Sequence, residues 1–312
     1  MKTSIVLFNL GGPDSLSSVK EFLFNLFYDP AIIRLPNPFR WILAKFIATK
    51  REKIAKEIYQ KIGGSSPILS ITQKQAAFLQ EELNKRKEKE YKVFISMRYS
   101  NPFASETLKN IEEYQPDELI LIPLYPQYST TTTKSSFDEF TKLIKKSKIK
   151  DIKLKFIYNY HLNKNFIKAH VDLIKASLKK ISGEYRILFS AHSLPEYIIK
   201  NGDPYQKQVE ECVEEIVNNL KKNTDYIICY QSKVGNLKWL SPSTEDEIVK
   251  AAKEKSVLVV PITFVSDHSE TLVELDIEYK ELFKKASNNL YVRVPALNEN
   301  KNFILSLVDQ II

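Results

Sequence analysis

Short apolar runs rich in β-branched residues recur along the chain, and each is followed by a stretch whose apolar positions repeat every three or four residues. The runs cover residues 5–9, 92–97, 119–124 and 152–157, then 186–190, 226–230, 257–263 and 290–294. A buried strand that hands over to an amphipathic helix, repeated in series, is the pattern of βαβ units and parallel sheets. The runs fall into two sets of four, which predicts an α/β molecule of two similar lobes. Each lobe is expected to be a four-stranded parallel sheet flanked by helices, with a small-molecule cleft between the lobes. The division falls near His161, giving lobes 1–160 and 161–312, and the last helix, 302–312, could pack back on the N-terminal lobe.

One segment departs from this rhythm. Residues 21–48, EFLFNLFYDPAIIRLPNPFRWILAKFIA, are denser in Phe, Leu and Ile than a surface requires, yet charges and prolines interrupt them. They read either as a pair of core helices or as an apolar lip that touches a flat hydrophobic ligand, a membrane surface, or both. No run reaches the ~18 consecutive apolar residues of a membrane span. The opening MKTSIVLFNLGGPD reads as a first strand rather than a leader.

Composition adds bounds. The formal charge of +8 comes from Lys-rich segments such as 142–150 and 200–222 and suits an anionic ligand or membrane surface. No RNA-binding or zinc-finger spacing is present, so nucleic acid is not an expected partner. Cys212 and Cys229 are too few for a disulfide framework or a cluster site. The expectation is a cytoplasmic protein, peripheral at most to the inner face of the membrane.

Candidate chemistry gathers at two strand ends. The run 257–263 leads into SDHSETLVELDIEY (266–279). At about 100° per residue, Leu272, Leu275, Tyr279, Leu282 and Phe283 share one face, and Asp267, Glu270, Glu274 and Glu278 form a second stripe. A plainer account makes Asp267 an N-cap with Glu270 as its capping-box partner, and pairs Asp276 with Lys280 and Glu281 with Lys285. The run 186–190 leads into AHSLPE, where Ser193 and Glu196 have capping-box spacing but His192 is left unexplained. His192 and His268 thus occupy equivalent strand ends, where parallel α/β sheets bind ligands, whereas His161 and His170 have no such context and read as structural. Lys50-Arg51, Tyr59 and the turn 63–67 could hold the acid groups of a bulky apolar ligand. Arg98-Tyr99 and the hydroxyl-rich 123–136 follow their own strands in the same way. The sequence contains neither GxGxxG nor a P-loop.

Taken together, NLGGPD (9–14), IGGSSP (62–67), LYPQYSTTTT (124–133), SAHSLP (190–195), GDPY (202–205), QSKVG…WL (231–240) and SDHSETLVELDIEY (266–279) resemble the ferrochelatases, which insert ferrous iron into a porphyrin. The resemblance runs in order across nearly the whole chain and implies two Rossmann-like, chelatase-type lobes with a porphyrin cleft between them. It implies that His192 and Glu270 are the principal metal-site and catalytic pair, with His268 beside them. It further implies that Glu274 and Glu278 continue the carboxylate row, that Arg51, Tyr59 and Ser66 hold porphyrin propionates, and that Arg98, Tyr99 and Trp239 line the pocket. Iron is then a substrate, no permanent cofactor is needed, and no iron–sulfur cluster is expected. A neutral imidazole suits the removal of pyrrole protons, and imidazole with carboxylate suits ferrous iron. His192 could instead be a metal ligand on the way in. Ser65, Lys134 and Asn236 depart from the family's usual loop residues, and Leu10 replaces an axial tyrosine found in some relatives. Cobalt insertion, a coproporphyrin substrate and a non-catalytic porphyrin carrier are the competing readings.

Overall fold

A computed structural model describes residues 1–86 and 89–312. The chain forms two compact units, residues 1–159 with 307–312, and residues 160–306. In the first, β1 (Lys2–Asn9) is followed by α1 (Val19–Tyr28), α2 (Phe39–Gln60) and α3 (Ile68–Asn84). Then come β2 (Glu90–Met97), α4 (Ala104–Tyr114), β3 (Glu118–Pro123), α5 (Thr133–Ile144) and β4 (Lys153–Phe156). The second unit holds α6 (Lys164–Leu178), β5 (Tyr185–His192), α7 (Glu196–Lys200), α8 (Tyr205–Asn218), β6 (Tyr226–Gln231), α9 (Thr244–Ala252) and β7 (Ser256–Pro261). A π-helix (Glu270–Tyr279) follows, then α10 (Lys280–Ala286) and β8 (Tyr291–Arg293). In α11 (Lys301–Ile311), the residues from Leu307 on group with the first unit.

Both sheets are parallel throughout and share one topology, with strand orders β2-β1-β3-β4 and β6-β5-β7-β8. The α/β expectation is met, and the reason is visible in the burial. Every residue of β1 after Lys2 is buried, as is all of β7. A strand covered by helices on both faces needs a continuous apolar run rather than alternation. One core joins Val6, Phe8 and Leu121 to Phe137 and Phe140, and the other joins Leu188, Val257 and Val259 to Leu275 and Phe283.

Local expectations fared less well than the strands. Neither foreseen capping box forms. Helix α7 starts at Glu196 after Pro195, while Ser193 is buried and its N–H donates to the Gln231 carbonyl. Glu196 pairs with Lys200 and Lys238 instead. Asp267 accepts from Thr271 and Asn298 and pairs with Arg293 at 2.8 Å. Arg293 also takes both oxygens of Asp276, which therefore does not rely on Lys280. A guanidinium that can bind in a fork outcompetes an ammonium four residues away.

The apolar segment is split between core and surface. Phe22 and Leu23 of α1 are buried, but Phe39, Ile42 and Phe46 stand on one face of α2 at 64%, 56% and 61% exposure. The same face continues into exposed Lys50 and Lys53. Among the described residues no helix is long and apolar enough to cross a membrane.

Candidate active site

Strands β5 and β6 run in parallel register, and their last residues, His192 and Gln231, are partners across the ladder. On the other side of β5, β7 ends at Pro261 and the chain passes through His268 into the π-helix. Three neighbouring strand ends of the second unit therefore present side chains to one place.

His192 is held at its backbone by the Thr263 hydroxyl, which accepts from its N–H at 3.2 Å, and by the Tyr205 hydroxyl, which donates to its carbonyl at 2.8 Å. Its Nδ1 lies 2.8 Å from Glu270 Oε2. Burial works against a charged imidazole here, but the Glu270 carboxylate outweighs it and His192 is raised above its ordinary value. Burial likewise works against the Glu270 charge, yet His192 holds that carboxyl down at about 2. The carboxylate is thus ionised and acceptor-only, so the hydrogen between the two sits on Nδ1. Nε2 has no partner among the described residues, and the side chain is 39% exposed. Once the ring is neutral, its free lone pair is on Nε2.

His268 has the opposite tautomer. The Glu270 backbone N–H donates to its Nδ1 at 3.1 Å. Burial pushes its pKa down despite the nearby Glu270 and Asp267 carboxylates. A neutral ring whose Nδ1 is accepting carries its hydrogen on Nε2. Phe264 packs edge-on between the two histidines, with ring centroids at 6.5 Å from His192 and 5.1 Å from His268.

The π-helix sets the carboxylates. With i→i+5 hydrogen bonds it turns less per residue than an α-helix, so side chains five apart lie close. In an α-helix they would be about 140° apart around the axis. The Tyr279 hydroxyl accordingly donates to Glu274 Oε1 at 2.7 Å. Glu274 also accepts from the Ser232 N–H at 2.9 Å, the Ser232 hydroxyl, and Gln231 Nε2 at 3.1 Å. Burial and the neighbouring Glu270 charge raise its pKa. Glu278 lies on the exposed side of the helix. The row read at α-helical spacing is therefore divided: Asp267 is bound to Arg293, Glu270 and Glu274 converge, and Glu278 faces solvent. Among the described residues no three His, Cys, Asp or Glu side chains form a ready-made metal site.

Gln231, Ser232 and Tyr205 fall in the quoted motifs without an assigned role, and the spacing places Tyr279 on the apolar face of the helix. Their signals are hydroxyl and amide groups with ordinary spacing, and only the strand register and the π-helix bring them to the histidines.

In the first unit, Gly11 and Gly12 allow the turn after β1 to meet its neighbours. A Cβ on Gly12 would stand 2.5 Å from Ser66 Cβ. Ser66 N–H donates to the Pro13 carbonyl. Tyr59 is buried, and Arg51 has the Phe27 ring 5.8 Å from its guanidinium and no carboxylate partner among the described residues. Arg98 is already committed, since it pairs with Asp29 at 2.8 Å and Glu139 at 3.0 Å and donates to Ser135. Tyr99 is 1% exposed and donates its hydroxyl to Asp29 at 2.8 Å. Arg98 and Tyr99, foreseen as pocket-lining, form a network around a buried carboxylate; Arg98 also lines a cavity with Asp29, Thr130 and Lys142, whereas Tyr99 is buried. In the second unit, Trp239 is half-buried, with a buried indole N–H that has no partner among the described residues, and is bridged to Pro195. His161 and His170 are buried, and His170 is pushed down to about 3 by burial.

Residues 2–312 match the family model described as ferrochelatase. A ferrochelatase of Wolbachia sp. subsp. Drosophila simulans is 54% identical over 99% of this chain and 98% of its own length. One from Rickettsia felis is 53% identical over 99% and 89%, and one from Pelagibacter ubique 50% over 100% and 91%. Among solved structures, SirB from Bacillus subtilis with Fe3+ superposes with a TM-score of 0.60, covering 100% of this chain and 94% of that one at 11% identity. At that identity the likeness concerns the fold.

Proposed function

The chain belongs to the ferrochelatase family and is a lyase that inserts ferrous iron into protoporphyrin to make haem; within that reaction we propose that His192 takes the pyrrole protons and that Glu270 and Glu274 hand over the metal. Insertion must remove two pyrrole protons as four metal–nitrogen bonds form, so the site needs a base facing the ring and anionic donors for a dication. The observation that carries the assignment is the His192 Nδ1–Glu270 contact of 2.8 Å. It fixes the ring orientation, leaves Nε2 without a partner, and steadies the imidazolium that forms on protonation. His268, with Nε2 protonated and Nδ1 occupied, is a donor and a wall rather than a base. Glu274 and Glu270 offer oxygen ligands in succession, with Glu278 at the exposed end of the same helix as an entry point for the ion.

Arg51 supports a propionate-anchoring role because its charge is not spent on a carboxylate among the described residues, and we assign Tyr59 and Ser66 to the same task. Trp239 is assigned to the ligand through its half-buried indole ring, whereas Arg98 and Tyr99 act through the packing they hold in place. Iron enters as substrate. No iron–sulfur cluster is assigned, in keeping with Cys212 and Cys229 both being buried inside the second unit. The exposed Phe39, Ile42 and Phe46, continued by Lys50 and Lys53, favour a cytoplasmic protein that touches the inner face of an anionic membrane.

The test is anaerobic insertion of ferrous iron into protoporphyrin by the wild type, His192→Ala and Glu270→Ala, with porphyrin binding followed by fluorescence. Haem formation by the wild type, and binding without insertion by both variants, is the expected result. A wild type that binds the ring and metallates it with no divalent ion would replace this reading with a porphyrin carrier. Faster turnover of coproporphyrin would reassign the substrate.

A further inference from the structure

Ser232, the residue after β6, has φ +64°, in the left-handed region that serine seldom occupies. A side chain there is held against its own preference and persists only when its surroundings determine it. What surrounds it is specific. Its N–H donates to Glu274 Oε1 at 2.9 Å, and its hydroxyl lies within hydrogen-bond distance of both Glu274 Oε2 and Glu270 Oε2, the latter at 3.1 Å. In this conformation the N–H and the hydroxyl of one residue both face the two carboxylates. The residue before it secures the same turn. Gln231 Nε2 donates to the Glu270 carbonyl at 3.0 Å and to Glu274 Oε2 at 3.1 Å. Its amide orientation is set by the Ser190 hydroxyl, which donates to Oε1 at 2.7 Å.

We propose that Ser232 is a positioning residue that sets the spacing of Glu270 and Glu274, and through it the transfer of ferrous iron to the porphyrin. The proposal rests on the reading of these two carboxylates as the metal-handling pair. The π-helix brings Glu270 and Glu274 onto one side, four residues apart, where two anions repel. A hydroxyl within reach of both, with an N–H on the second, keeps them close without a cation. Among the described residues Glu270 Oε1 stays open to an incoming dication, whereas Glu274, filled by Ser232, Gln231 and Tyr279, must exchange one of these donors for it. Gln231 anchors the helix backbone, while Ser232 governs the carboxyl groups themselves.

The backbone conformation supplies a test that separates positioning from stability. Ser232→Gly removes the hydroxyl and relieves the left-handed residue, so it should unfold at the same temperature as the wild type or higher. Ser232→Ala removes the same hydroxyl and keeps the strain. Loss of a hydrogen bond to charged groups corresponds to roughly a tenfold change. Both variants should therefore raise the KM for ferrous iron about tenfold, to the same extent, with the KM for protoporphyrin and porphyrin binding by fluorescence unchanged. Glu270→Gln and Glu274→Gln are measured alongside. If these shift the iron KM and the two Ser232 variants do not, the positioning role is overturned while the metal reading stands. The role is also overturned if only Ser232→Ala is affected, in step with its lower stability, or if the KM for protoporphyrin rises equally. If neither carboxylate variant moves the iron KM, the metal-handling reading falls and the inference with it.

Discussion

Replacing Glu270 by Gln keeps the side chain's length and one acceptor oxygen but removes the charge that faces His192 Nδ1 at 2.8 Å. Two unit charges near 4 Å attract by about 4 kcal/mol at an effective dielectric constant of ~20. The depression of Glu270 from 4.5 to about 2 corresponds to ~3 kcal/mol at 1.36 kcal/mol per unit. His192 is 39% exposed and Glu270 26%, so solvent screening reduces this to about 1–2 kcal/mol of stability. The pH dependence has a definite shape. The carboxylate's contribution is complete above its unfolded value of 4.5 and is lost as pH falls towards about 2. The imidazole's is complete below its unfolded value of 6.5 and is lost as pH rises through its raised folded value. The destabilisation in Glu270→Gln should therefore be largest between about pH 4.5 and 6.5 and shrink on both sides. Calorimetric unfolding of both proteins from pH 4 to 9 would read it as a Tm lower by roughly 2–8 °C in that window. A Tm difference that stays constant from pH 5 to 9, or grows on the alkaline side, would refute the charged pair.

Three further outcomes follow from other parts of the molecule. His192→Ala should lose about 10²–10⁴ in kcat, because it removes the free Nε2, whereas His268→Ala should lose far less; single-turnover haem formation distinguishes them. Asp29→Ala should cost roughly 3–5 kcal/mol in urea unfolding, since it takes a buried carboxylate, 1% exposed, from Arg98 and from the Tyr99 and Ser135 hydroxyls and leaves Arg98 with Glu139 alone as counter-charge. Phe46→Glu should weaken binding to anionic vesicles several-fold in sedimentation while leaving Tm within about 1 °C, because the ring is 61% exposed and supports no core.

The sequence by itself determined the strands, their parallel pairing class and the strand-end place of His192, while β7 ends at Pro261 and leaves His268 in the connection to the π-helix. Each such determination follows from local periodicity: an apolar run such as 257–263 must be covered on both faces, and a helix must follow to cover it. Those are decisions a chain makes over five to fifteen residues. The chemistry of the same residues was decided over longer distances. His192 and Glu270 are separated by 78 positions, Ser232 and Glu274 by 42, and Arg293 and Asp267 by 26. Which nitrogen of each histidine bears the hydrogen depends on those contacts, and so does the fate of the carboxylate row. Asp267 and Asp276 belong to Arg293, while Glu270 and Glu274 are left for the site. Spacing alone assumed 100° per residue, and the π-helix replaced it with a wider turn that sets Tyr279 against Glu274. Only the tertiary structure could make that choice, because the i→i+5 geometry is held at Glu270 and Glu274 by the end of a strand, Gln231 and Ser232, that lies far away in the chain.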